Sequence, residues 1–472
     1  MRTCCTRVIA AVAILFAPHV ARSQVDTSLK LTATKPAAAE FRAGMGDYQN
    51  VAFESAASHF KAAIDADPGF GLARVLYAST APLDSSQRAT ELTRGLADAA
   101  RATGNELVLA TAYQQIAIGH TDVANALFRA ASQLMPADRL LAYAAIGGFG
   151  APIAATRDFV AKNPDYGLGY NTLAYQAWTA GDRAGALAAA KRQVELLPSA
   201  PNPHDSYGEM LQWNGNFADA AAQYKAATTL SPKFPEAYTG LAEVAALQGQ
   251  YDQARVYLNQ AIANSWSPQQ KLGYMRQIAG TYVLQGGQAP ALTKQLEAAI
   301  AEAKAQGDAQ TTAVLYSQLA TVQAFDGNAN AAHQSLAAAE AANPTVPANV
   351  HYFGGMTHGL MKHWAPAAQE LAAMKAQAAA QPGSVSAARI AALDGYLLIQ
   401  QGKPAAALAV LMASDTTDVL VENRIAEAHA ALGHPAEAAV WNKRVNADYA
   451  LNLADWTNVN SRRRAKLATA SR

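Results

Sequence analysis

Residues 203–232, PHDSYGEMLQWNGNFADAAAQYKAATTLSP, contain two helical stretches that are separated by Gly215-Asn216 and closed by Pro232. Glycine readily takes the left-handed backbone conformation that ends a helix. Proline lacks an amide donor and clashes with the preceding turn, so it cannot continue the second helix. The stretch therefore predicts a helix, a tight turn, a second helix and a stop.

The same punctuation recurs every 34 residues on both sides of this stretch. The recurring residues are the turn glycines Gly181, Gly215 and Gly249, the alanines Ala186, Ala220 and Ala254, and the prolines Pro164, Pro198 and Pro232. Alanine in the second helix allows the two helices to cross closely. Three residue classes that keep one register indicate a repeat architecture.

Residues 203–232 resemble a tetratricopeptide repeat. The matching positions are Tyr207, Gly208, Leu211, Gly215, Ala220, Tyr224, Ala227 and Pro232. Residues 167–200 and 235–268 match the same pattern nearly as well, and weaker copies extend over most of the chain after residue 37. The resemblance implies an all-α fold, an α-α superhelix or solenoid of about eleven helix pairs.

The expected organisation has five parts: a signal peptide (1–23), a flexible N-terminal segment (24–36), an N-terminal array (37–268), a more degenerate C-terminal array (269–450), and a capping helix with a basic tail (451–472). In the capping helix, Leu453, Trp456 and Leu467 are expected to cover the last pair. The cations are expected to face solvent, since such a cluster is typical of a solvated helix end. They are Arg462, Arg463, Arg464 and Lys466.

The N-terminus has the layout of an export signal. Arg2 and Arg7 precede an apolar run at 8–17, and Ala21-Arg22-Ser23 supplies small residues for a signal peptidase. An uncleaved membrane anchor is the rival interpretation, but the apolar run is shorter than a bilayer-spanning helix requires. We expect a periplasmic or secreted protein with no stable membrane insertion after cleavage.

Charge and cysteine content exclude several function classes. Cys4 and Cys5 both lie in the signal, so the mature chain has no thiol for disulfides, catalysis or zinc. Cleavage also removes three arginines, which leaves 34 basic against 36 acidic residues. Nucleic-acid binders usually carry a strongly basic face, so no nucleic-acid partner is expected.

No signature of a known catalytic site occurs in the sequence, and no enzyme activity, cofactor or metal is expected. The glycine-rich stretch 147–150 is interpreted as a turn between helices. His351, His358 and His363 fall at helical spacing, but no carboxylate lies near them in sequence, so packing or surface roles are favoured over metal binding. An enzyme whose acid and base residues are dispersed over several helices stays open as a third possibility, beside a protein scaffold and a ligand-binding protein.

The resemblance places partner binding on the first helix of each pair, which lines the inner groove of such arrays. In the three clearest repeats these positions are Asn171, Tyr175, Trp178, Asn202, Asp205, Glu209, Gln212, Glu236, Thr239 and Glu243. They form an acidic groove with an aromatic wall, which favours a basic or aromatic protein or peptide. The alternative is that the carboxylates are only solvated and that Trp178 is core.

The leading functional hypothesis is a protein-protein interaction scaffold or adaptor that binds its partner in the concave groove. The alternative is a glycan or small-ligand binding protein of the cell envelope, since aromatic rings in a concave surface can stack on sugars.

The mature N-terminus should be Gln24, because the apolar run is short and is followed by Pro18 and the small-residue site. N-terminal sequencing or intact mass spectrometry of the exported protein measures this directly. A membrane-bound product that retains Met1 would contradict it.

Overall fold

The computed structural model describes residues 30–49, 52–136 and 138–470. Within these ranges the structure contains 25 α-helices, one short 3₁₀ turn and no β-strand. None of the described helices combines the length and the apolar character needed to cross a membrane. The signal peptide predicted at 1–23 lies outside the described residues.

The chain divides into two compact units between Gly240 and Leu241. The helices of the N-terminal unit are α1 (Lys35–Gln49), α2 (Phe53–Ala66), α3 (Gly71–Thr80), α4 (Ser85–Ala99), α5 (Gly104–Ala117), α6 (Thr121–Leu134), α7 (Arg139–Ala145), α8 (Ile153–Lys162), α9 (Gly167–Thr179), α10 (Arg183–Leu196), α11 (Pro201–Trp213) and α12 (Phe217–Leu230). The division falls within α13 (Pro235–Leu247), upstream of the boundary at residue 268 that the repeat quality suggested.

The C-terminal unit continues with a second series of helices. They are α14 (Tyr251–Ala263), α15 (Pro268–Gln285), α16 (Ala289–Ala305), α17 (Ala309–Phe325), α18 (Ala329–Ala342), α19 (Ala348–Leu360), α20 (Trp364–Ala380), α21 (Ala387–Gln400), α22 (Pro404–Met412), α23 (Val419–Ala431), α24 (Pro435–Ala447) and α25 (Trp456–Ala470).

Consecutive helices pack against each other in pairs, such as α1 with α2, α9 with α10, α11 with α12 and α17 with α18. The predicted turn glycines lie between helices in the left-handed region, at φ values of 83° for Gly181, 82° for Gly215 and 80° for Gly249. Gly327, between α17 and α18, takes the same conformation at 78°. The all-α helix-pair fold is therefore confirmed.

Close approach of neighbouring helices depends on glycine opposite a large side chain. Tyr224 of α12 is fully buried. A Cβ at Gly208 would lie 2.8 Å from the Tyr224 ring, and a Cβ at Gly240 would lie 2.3 Å from it. One tyrosine of a second helix thus occupies the space that glycine leaves on two successive first helices.

The N-terminal residues that the structure describes contact the first pairs. The Thr34 amide donates to an Asp67 carboxylate oxygen at 2.9 Å, and α1 begins at the next residue. Residues 30–36 belong to the segment for which flexibility was predicted. In the glycine-rich stretch, Gly147 has a φ of 105° and precedes a 3₁₀ turn at Gly148–Gly150, as the turn interpretation expects.

The C-terminal helix is oriented differently from the prediction. Leu453 and Trp456 are buried as expected, but Leu467 is 54% exposed, whereas Arg462 is only 5% exposed. The Arg462 guanidinium lies inside because it pairs with Asp448 at 3.4 Å and donates to the Ala450 carbonyl at 3.2 Å. The assignment of Leu467 to the packed face and of Arg462 to solvent was therefore wrong.

Replacing Gly215 by Val should lower the free energy of unfolding by about 1 kcal/mol or more, because a β-branched residue is poorly tolerated at positive φ. Chemical denaturation followed by circular dichroism measures the change. Gly104→Val is the matched control, since Gly104 has no positive φ and open space around it. Equal losses in the two variants would contradict the role of backbone conformation at Gly215.

Candidate partner-binding surface

Helical spacing places the predicted positions of α9 and α11 on one face of each helix. Asn171, Tyr175 and Trp178 are separated by four and three residues, which keeps them on one side of α9. Asp205 and Glu209 are separated by one turn on α11, which begins with Pro201, a residue suited to the first helical position. The two first helices contact each other directly.

A hydrogen-bonded group joins the facing sides of α9 and α11. The Tyr175 hydroxyl donates to the Glu209 carboxylate, which is only 3% exposed. The Asn171 side-chain amide donates to the Ser206 hydroxyl at 2.9 Å and to the Gln193 carbonyl oxygen at 3.0 Å. Glu209 is thus held in place by a phenol on the neighbouring first helix, rather than lying on a solvated face.

Three aromatic rings form a wall beside this group. The rings of Trp178 and Trp213 lie 5.2 Å apart between centroids, and Tyr175 packs edge-on to Trp213 at 6.0 Å. The Arg183 guanidinium lies 3.4 Å from the centre of the Trp178 ring, a cation–π contact. All three rings are half-buried, so each keeps some exposed surface.

Trp213 is the member of the wall that sequence reasoning missed. It follows Asp205 and Glu209 at the same interval of four residues, so it shares their helix face. Extending that interval by one more turn would have found it.

Other predicted positions on these helices lie within the helix packing. Asn171 and Gln212 are fully buried, and Gln212 accepts a hydrogen bond from the Tyr224 hydroxyl at 3.0 Å. Asn202 and Asp205 are buried as well. On α9 and α11, the aromatic wall beside Glu209 is therefore the part of the predicted surface that remains partly exposed.

The predicted positions on α13 are divided between the two units. Glu236 is half-buried and Thr239 is buried, and the Thr239 hydroxyl donates to the Glu236 carbonyl at 2.7 Å. Glu243 belongs to the C-terminal unit, where it too is buried. Burial lowers the pKa of Arg462 in that unit, while Asp448 and Glu243 act to raise it.

The three histidines singled out in the sequence are not brought together as a set. The His351 ring nitrogen Nδ1 lies 2.6 Å from a Glu370 carboxylate oxygen, so a carboxylate does accompany it, from α20. The rings of His358 and His363 instead lie next to His333 of α18, at 5.8 and 5.4 Å. Among residues 30–49, 52–136 and 138–470, no group of three or more His, Cys, Asp or Glu side chains could hold a metal ion.

A cleft of about 570 Å³ lies beside α2, α3 and α4. Its buried cation, Arg74, is held by Glu91 at 2.8 Å and by Asp98 at 3.2 Å. Both of these carboxylates neutralise Arg74, and the other cation of the cleft, Lys61, pairs with Asp65 at 2.5 Å.

Comparison with known proteins identifies one stretch of the chain. Residues 214–265 match a family model described as tetratricopeptide repeat. No curated protein matches the chain.

Solved structures with similar folds share little sequence with this chain. A thermophilic TPR protein of Thermus thermophilus is 24% identical over 34% of this chain and 92% of its own, with a TM-score of 0.31. Yeast Tom70 is 12% identical over 92% of this chain and 96% of its own, with a TM-score of 0.41. Residues 214–265 are therefore similar to tetratricopeptide repeats and lie within an all-helical array of helix pairs.

Proposed function

We propose that the protein is a non-enzymatic scaffold that holds a protein or peptide partner against the first helices of its N-terminal unit. The observation that carries the proposal is the aromatic wall of Tyr175, Trp178 and Trp213, which stays half-exposed beside Glu209. Rigid aromatic side chains supply much of the binding energy at protein interfaces. Solenoid repeats commonly mediate protein-protein interactions with surfaces of this kind.

Charge favours a basic or aromatic partner over an acidic one. Asp205, Glu209 and Glu236 all come from first helices of the N-terminal unit, and the cation at the wall, Arg183, is stacked on Trp178. Complementary charge steers association and selects partners more than it adds affinity. The export signal predicted at residues 1–23 supports binding in the periplasm or outside the cell.

A photo-cross-linking amino acid in place of Tyr175 or Trp178 should capture the same partner from the native cell envelope. Mass spectrometry identifies the captured segment, which we expect to be rich in Lys, Arg or aromatic residues. The matched control replaces Lys225, an exposed residue on the second helix α12. An acidic captured segment would contradict the charge preference, and equal capture from Lys225 would contradict the surface.

Glu209→Gln should slow association of that partner a few-fold at low salt, and the difference should shrink as salt rises, because screening at physiological salt acts over about 8 Å. Glutamine keeps an acceptor for the Tyr175 hydroxyl and removes only the charge. Asp219→Asn, on an exposed position of α12, is the matched control. Stopped-flow kinetics measure both variants, and identical association rates would rule out an electrostatic role for Glu209.

A further inference from the structure

Residues 448–467, here called the C-terminal segment, lie against the first helices of the C-terminal unit. Helix α25 contacts α15 and α23, both first helices, as well as α24. Apolar residues of the segment belong to the same core as residues of five first helices. Those core residues are Ile278, Leu315, Phe353, Leu393 and Leu420, and from the segment Leu451, Leu453, Trp456 and Val459.

The segment reaches much farther back than a cap on the last pair would. On α15, four pairs before the end of the array, a Cβ at Gly280 would lie 1.8 Å from the Leu453 carbonyl oxygen. Farther along, a Cβ at Gly286 would lie 2.5 Å from Nε of Arg463. The absence of a side chain at Gly280 and Gly286 therefore makes room for Leu453 and Arg463 of the segment.

The buried face of α25 has the spacing of a helical ligand. Trp456, Val459, Arg462 and Ala465 recur every three residues and are all buried. The Trp456 ring packs edge-on to Phe353 of α19, with 6.3 Å between ring centroids. An aromatic anchor followed by small or apolar residues at such intervals is how amphipathic helices bind in grooves.

Acidic and polar groups of the unit hold the basic side of the segment. Arg464 pairs with Glu427 of α23, which also pairs with Arg424 at 2.6 Å. The Asn423 side-chain amide donates to the Ser461 carbonyl at 3.3 Å. Glu427 therefore contacts two arginines, one from its own helix and one from the segment.

We propose that the first helices of the C-terminal unit form a second binding groove, for a basic helix with an aromatic anchor, and that the C-terminal segment is its resident, displaceable occupant. The proposal rests on the proposed function in assigning peptide binding to first-helix surfaces. A partner helix would carry an aromatic residue, an apolar residue three positions later, and arginines about two turns after the aromatic. A tethered occupant acts at an effective concentration of roughly millimolar, so it excludes weak competitors.

The test uses the full chain and a fluorescent synthetic peptide of residues 448–470. The double variant Trp456→Ala with Arg464→Glu weakens the resident segment and leaves the groove itself unchanged. This variant should bind the peptide at least tenfold more tightly than the unsubstituted chain, because the competing occupant has been weakened. Fluorescence anisotropy measures binding, and circular dichroism checks that helical content is preserved.

A third substitution locates the site. Gly280→Ala, added to the double variant, should abolish peptide binding, because the new methyl group would clash with the Leu453 carbonyl oxygen, while alanine is otherwise favourable within a helix.

A variant of the peptide tests the charge contact with the groove. Arg464→Glu in the peptide should weaken binding at least tenfold, since Arg464 faces Glu427.

Each other outcome overturns the proposal. A double variant that keeps its helices but does not bind the peptide, or that loses its helical signal, would show that the segment is an integral part of the core. Binding that persists after Gly280→Ala would place the peptide elsewhere. None of these variants touches Tyr175, Trp178 or Glu209, so failure here leaves the proposed function to its own cross-linking and kinetic tests.

Discussion

Glycine facing a large side chain sets how closely the helices of this protein approach, and the rest of the structure depends on that distance. Tyr224 is the clearest case, since Gly208 and Gly240 have no room for a Cβ beside its ring. Gly71 shows the same constraint against backbone, because a Cβ there would lie 2.2 Å from the Ala99 amide nitrogen. In a repeat array each pair buries its apolar face only against its neighbours, so a backbone shift at one such contact weakens the whole local stack.

Close helix approach also decides which polar residues remain available for binding. Polar groups between tightly packed helices must find hydrogen-bond partners or lose free energy on burial. Asn171 meets this requirement through Gln193 and Ser206, and Gln212 through Tyr224. Some of the side chains that the repeat pattern places on the inner face are therefore buried between helices and hydrogen-bonded there. What remains for a partner is surface that packing leaves half-exposed, which at α9 and α11 is aromatic.

The fold was predictable because its determinants are local and repeat. A glycine at positive φ and a buried alanine recur in each clear pair, so one repeat such as residues 203–232 carries the information for its neighbours. The burial of Arg462 was not predictable, because it depends on Asp448, on the Ala450 carbonyl and on a helix face that only the folded array brings near. A run of cations in sequence gives no sign of such partners. The aromatic wall was predictable in part. Helical spacing places Tyr175 and Trp178 on one face, but their contact with Trp213 depends on how α9 packs against α11.

The C-terminal segment changes the energetics expected of a linear array. Without it, each pair of the C-terminal unit would gain stability from adjacent pairs alone, and the unit could open from its end. Contacts of Leu453 at Gly280 and of Arg464 at Glu427 tie the end of the chain to helices far apart in sequence. Opening the last pair then also disturbs the segment's contacts with α15, so the pairs become cooperative. Any ligand that replaced the segment would have to restore those contacts, because a ligand stabilises a protein only by the free energy with which it binds the folded state. Binding at this groove and the stability of the C-terminal unit are therefore thermodynamically linked. A partner that makes weaker contacts than the segment would lower the cooperativity of unfolding of this unit.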